Sequence, residues 1–170
     1  RRGLIEEVLA DGPGSVVDGA GAIFAVPGVH ILRLRWLVPA GRRSRVAELA
    51  AAPELGRLRA LRLVAGRADG PALRELLGSP HLGRLQVLDL HGNRADDAVA
   101  ADIGDGRFAE LAELWLGSNQ IGDAGGRALA ASRPGRADRA ADAVRLAGEA
   151  LTGPDVRTAV KMRKIVTHAG

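Results

Sequence analysis

LRALRLVAG (58–66), LQVLDLHGN (85–93) and LAELWLGSN (111–119) are three writings of one pattern, L-x-x-L-x-L. Leu58, Leu61 and Leu63 correspond to Leu85, Leu88 and Leu90 and to Leu111, Leu114 and Leu116, with starts 27 and 26 residues apart. The ninth place of the frame is Asn93 in one copy and Asn119 in the next, and Ala95 and Ile121 follow two residues later. The approaches agree as well, PELGRL at 53–58 and PHLGRL at 80–85. Two weaker copies flank these three. Val29, Leu32 and Leu34 stand in VHILRLRWL (29–37), and Val144, Leu146 and Leu151 fit a frame beginning at Ala141.

Each copy holds two periods. Leucines two apart, such as Leu61 with Leu63 or Leu88 with Leu90, point to one face of a short strand, and the residues between them point to the other. The second half changes to apolar residues three or four apart, in GPALRELLG (70–78), DDAVAADIGD (96–105) and GDAGGRALAA (122–131), which is the pattern of a helix with one buried stripe. Leu76, Ile103 and Leu129 share a frame position, joined by Leu49 and Ala159 if the first copy carries a two-residue insertion. Asp69, Asp96 and Asp123 stand where an N-cap is wanted, and Pro71 and Pro154 suit a first helical turn. One strand plus one helix cannot hide its own apolar face. Stacked copies can, and stacking places the strands in a parallel sheet on one side and the helices on the other.

The frame L-x-x-L-x-L-x-x-N-x-L with a helical half of this length resembles a leucine-rich repeat, and its period is similar to that of the ribonuclease-inhibitor-like subclass. LAELWLGSNQIGDAGGRALAAS matches best. RGLIEEV and IFAVPGVHILRLRW also resemble the lead-in of bacterial leucine-rich-repeat proteins that carry a repeat-companion domain upstream. The resemblance implies an α/β solenoid: a short right-handed horseshoe with its parallel sheet on the concave side and its helices on the convex side. It also implies that Asn93 and Asn119 hydrogen-bond turn backbone that would otherwise be buried unpaired. The equivalent places in the other copies are Leu37, Gly66 and Glu149, so the Asn ladder is short. About four units are expected over 29–132. Residues 133–170, opening with the out-of-register RPGRADRAAD (133–142), are expected to form an irregular loop and a degenerate last repeat or C-terminal cap.

Residues 1–28 stand outside the frame and are expected to form an N-terminal cap or lead-in. There LIEEVL suits an edge strand or short helix, DGPGSVVDGAGA reads as turns, and Phe24 is carried toward the first repeat.

Composition narrows the function classes. The 170 residues contain no Cys, which removes disulfides, thiol nucleophiles and cysteine zinc knuckles. Aromatic residues make up 2%, too few for a base-stacking platform. No apolar run approaches the length of a membrane span, and RRGLIEEV has no signal-peptide core, so the expected location is the cytoplasm and no membrane partner is expected. No P-loop, HExxH or GxSxG motif occurs. His30, His81, His91 and His168 show no metal-ligand spacing. Asp89, His91 and Ser118 come from adjacent copies but would lie on an open face that does not exclude water. No catalytic residue, metal or cofactor is therefore expected.

Function in such an array belongs to the side chains that emerge between the core leucines. The central outward row reads Arg33, Arg62, Asp89, Trp115 and Arg145. On one side stand Arg35, Val64, His91, Gly117 and Ala147; on the other stand Ile31, Ala60, Val87, Glu113 and Ala143, with Trp36 just past Arg35. Trp and Arg are enriched at binding hot spots, so Arg33, Arg35, Trp36, Arg62, Asp89, His91, Glu113, Trp115 and Arg145 are the candidate contacts for a protein partner, as yet unidentified. The bland alternatives are that Trp115 covers Asp89 or stacks under Arg145, and that Trp36 packs into the cap. Charge is uneven: residues 31–67 hold nine Arg and two Glu, whereas 68–132 hold five basic and ten acidic residues. An anionic partner would dock through Arg33, Arg35 and Arg62. Nucleic acid is disfavoured, since phosphate binding needs several bases on one continuous surface. The other alternative to partner binding is a structural spacer, or a fragment of a longer array.

Overall fold

The computed structural model describes residues 6–37, 45–63 and 66–131. The alternating leucines form strands β2 (Ile31–Leu34), β3 (Ala60–Arg62), β4 (Val87–Asp89) and β5 (Glu113–Trp115), preceded by β1 (Glu7–Ala10). All five are parallel and lie in chain order, β1-β2-β3-β4-β5. Between them run α1 (Pro13–Ala25), α2 (Val46–Ala51), α3 (Gly70–Leu77) and α4 (Asp97–Gly104), and α5 (Asp123–Ala131) follows β5. The PELGR and LGR segments tighten into short 3-10 turns before β3 and β4.

The register puts the repeat positions side by side. Val8, Leu32, Leu61, Leu88 and Leu114 form one inward row, and the last four are almost completely buried. Leu49, Leu76, Ile103 and Leu129 arrive from the helices into the same core. Each helix packs on the next in chain order.

Local chemistry explains where the helices start. Asp69 accepts a hydrogen bond from the Ala72 amide and Asp96 one from the Val99 amide, both at 3.0 Å, each satisfying an amide that has no partner inside its helix. Pro71 occupies the first turn of α3. Asp123 is itself the first residue of α5. The α4–α5 contact is closest where side chains are missing: a Cβ on Gly104 would stand 2.7 Å from the Ala128 carbonyl oxygen, and one on Gly125 would stand 2.7 Å from Asp97 Oδ1. Elsewhere the helix layer is tied by ions. Arg74 reaches Asp102 at 2.9 Å, and Arg45 reaches Glu48 at 2.7 Å and Asp18 at 2.6 Å. The Arg45 guanidinium, by donating to Glu48, holds that carboxyl below the usual carboxylate range.

One expectation is corrected here. DGPGSVVDGAGA does not form turns, because most of it lies in the thirteen-residue helix α1. Pro13 sits in its first turn, where a missing N–H costs nothing, and Val16 and Phe24 are buried in the shared core. Burial of that stripe outweighs the poor helix propensity of Gly14, Gly19 and Gly21. LIEEVL contributes β1, the strand alternative. Residues 133–170, with Arg145 and Ala159, lie outside the described residues.

Candidate functional site

The outward positions form rows as regular as the core. Leu9, Arg33, Arg62, Asp89 and Trp115 stand in register across the five strands, and beside them run Glu7, Ile31, Ala60, Val87 and Glu113. Sequence comparison of the repeats missed Leu9 and Glu7, because β1 carries Val8 and Ala10 where the other copies carry leucines. The available signal was the short apolar run Val8, Leu9 and Ala10 after two glutamates.

Arg33 and Arg35 are not free cations. Arg33 Nε lies 3.0 Å from Glu7 Oε1, as an ion pair without the alignment of a hydrogen bond. Arg35 pairs with Asp11 at 3.5 Å. Both acids come from the segment outside the repeat frame. Of the three arginines expected to dock an anion, Arg62 alone forms no ion pair among the described residues. Arg59, at the foot of β3, lies 3.8 Å from Glu110. The nominally basic end of the face is therefore largely neutralised within the chain.

Asp89 is also engaged, since Oδ1 accepts from the His91 amide at 3.0 Å and holds the turn after β4. This bond uses the carboxylate for local backbone, and His91 is half-buried beside it. Glu113 and Trp115 are half-buried on β5. Trp36 keeps 50% of its surface exposed, so it is not packed into the first unit, and Leu9 keeps 51%. These two are the large apolar side chains most exposed among the described residues. Val64 and Arg145 lie outside them.

Below the face, the two asparagines bind neighbouring units together. Asn93 Oδ1 accepts from the Ala68 amide at 3.0 Å, while its Nδ2 donates to the carbonyls of Leu63 and Leu90. Asn119 repeats this one unit later, accepting from Ala95 N at 2.8 Å and donating to Leu90 and Leu116 carbonyls at 2.9 Å. Each amide thus satisfies backbone of its own turn and of the preceding unit. Where Asn93 has a counterpart in Gly66, a Cβ would come within 3.4 Å of Asn93 Oδ1, so the next asparagine reaches into that space.

Among the described residues, no cluster of His, Asp or Glu has an arrangement that would hold a metal ion, and no helix is long and apolar enough to cross a membrane. No family model, curated protein or solved structure matches the chain.

Proposed function

We propose that this chain is a leucine-rich-repeat solenoid of the ribonuclease-inhibitor-like kind and works as a non-enzymatic binding module, taking a protein partner on the open face of its sheet. The observation that carries this reading is the central row Leu9, Arg33, Arg62, Asp89, Trp115. Its members are held in fixed register by a repeating scaffold, yet each is chemically different from its neighbours. A row that only covered the sheet would have no reason to place leucine, arginine, aspartate and tryptophan at equivalent sites.

The internal ion pairs of Arg33 and Arg35 favour a partner that is apolar in the middle and nearly neutral over one that is strongly anionic. Ile31 and Val87, both half-buried, supply aliphatic surface beside the central row, with Ala60 buried between them and Glu7 and Glu113 at the ends. Arg62 and Trp115 are the residues expected to anchor such a partner, since Arg and Trp dominate hot spots.

The test compares two sets of variants of equal fold, verified by circular dichroism, against the partner captured by the wild-type chain. Arg62→Glu and Trp115→Ala on the face should each weaken binding by about 30-fold, the usual size of a hot-spot loss. Glu75→Ala and Arg127→Ala on the helix layer should leave it unchanged. Equal losses in both sets, or in neither, would discredit the face.

A further inference from the structure

We propose that the open face of the sheet selects its partner by charge polarity, taking an extended protein segment that sets an acidic side chain on Arg62 and a basic one, two residues away, between Asp89 and Glu113. The inference rests on the binding role proposed above for this face and names the chemistry of what the face takes.

The two halves of the face treat their charges differently. On β2 and just after it, Arg33 is matched by Glu7 and Arg35 by Asp11, so that half is neutralised from within the chain. On β3 and β4, Arg62 and Asp89 are direct cross-strand partners of opposite sign, an arrangement that ordinarily brings such groups into contact. No ion pair joins them. Asp89 Oδ1 accepts instead from the His91 amide at 3.0 Å, which holds the carboxylate on the β4 side. Arg62 is left without a hydrogen bond or ion pair among the described residues, and so is Glu113 on β5. β3 and β4 each have a strand on both sides, so Arg62 and Asp89 do not belong to a sheet edge.

The result is one unmatched cation beside two carboxylates that no cation matches. Arg62 lies one strand from Asp89 and two from Glu113, about 5 to 10 Å at the ordinary strand separation. Trp115 adjoins both acids, as the cross-strand partner of Asp89 and the residue two places after Glu113. All four side chains are half-buried, where charges are screened less than in open water. Carboxylates beside an aromatic ring form a setting for a basic group, and an unpaired guanidinium is one for a carboxylate, which it can take with two parallel hydrogen bonds.

This polarity discriminates among occupants. A polyanion such as nucleic acid would meet one free cation and two repelling carboxylates. A wholly apolar segment would bury three charges unpaired. A second copy laid on the face, about an axis along the strands between β3 and β4, would match Arg62 with Asp89 but set Glu113 against Ile31, leaving a carboxylate with no cation. An extended segment crossing the strands carries side chains two residues apart on one side, roughly 7 Å from each other. An acid and a base at that spacing answer all three charges and add no net charge.

The test presents short acetylated and amidated peptides to the immobilised 170-residue chain. The peptides are randomised over neutral residues except at two positions, two residues apart. Four pools carry Glu with Lys in both orders, Glu twice, Lys twice or Gln twice. The mixed pool should be retained about tenfold better than each of the others. Arg62→Glu, with an unchanged circular dichroism spectrum, should make the doubly basic pool the best retained. Glu113→Lys should remove the advantage of the mixed pool over the doubly acidic one, and Glu75→Lys on α3 should leave the ranking as it was. Equal retention of the Gln and mixed pools, both lost on Trp115→Ala, would overturn the inference alone and leave the face a binding surface. Strongest retention of the doubly acidic pool by the wild-type chain would overturn it in favour of an anionic partner. A ranking that no face variant alters, or retention of no pool, would overturn it together with the binding role.

Discussion

The inward and outward rows of the same five strands differ in one respect. Inside, Val8, Leu32, Leu61, Leu88 and Leu114 vary hardly at all; outside, Leu9, Arg33, Arg62, Asp89 and Trp115 share almost nothing. Both rows sit on the same backbone with the same spacing, so the scaffold does not dictate the outer choice. Close packing dictates the inner one, since a shared core admits one size and shape of side chain per layer. What repeats reports the fold, and what fails to repeat is where the proposed partner would be read.

That contrast makes graded demands. Leu88→Ala should cost about 2 to 5 kcal/mol in urea denaturation, as for buried leucines elsewhere. A loss under 1 kcal/mol would mean that the inner row is not tightly packed. Asn93→Ala should come next, at about 2 to 3 kcal/mol, because it strands a buried amide and buried carbonyls together. Asn119→Ala, at a less buried copy of the same site, should cost noticeably less. Ser118 holds a backbone φ of 58° at the place where the preceding unit has Gly92 at 72°. Ser118→Gly should therefore raise stability by about 0.5 to 1 kcal/mol, the relief of a left-handed conformation offset by glycine's entropy. Arg62→Ala on the outer row should change stability by no more than about 0.5 kcal/mol. If it costs as much as Leu88→Ala, the division between the two faces fails.

Much of this was legible in the amino-acid order. The strands around Leu61, Leu88 and Leu114, the helices that follow them and the caps Asp69 and Asp96 are fixed by short-range periods and side-chain reach, and those act within one unit. The asparagine bonds were expected from a resemblance and depend on one neighbouring unit. Two features were not legible. α1 is written in glycine, alanine and proline, so its helical state depends on tertiary burial of Val16 and Phe24 rather than on local preference. The neutralisation of Arg33 and Arg35 depends on Glu7 and Asp11, whose approach required knowing that β1 joins the sheet. A sequence reading sees a cation; only the pairing of strands reveals its counterion.

The row running from Leu9 through Arg33, Arg62 and Asp89 to Trp115 advances by 24, 29, 27 and 26 residues per step, yet every step crosses by one strand. Step length does not follow helix length, since the 24-residue step holds the thirteen-residue α1 and the 29-residue step the six-residue α2. Changes of length between the strands thus leave the spacing of the outward side chains near the strand separation of about 4.8 Å. The segments behind the sheet can therefore change length without altering which side chains the strands set side by side.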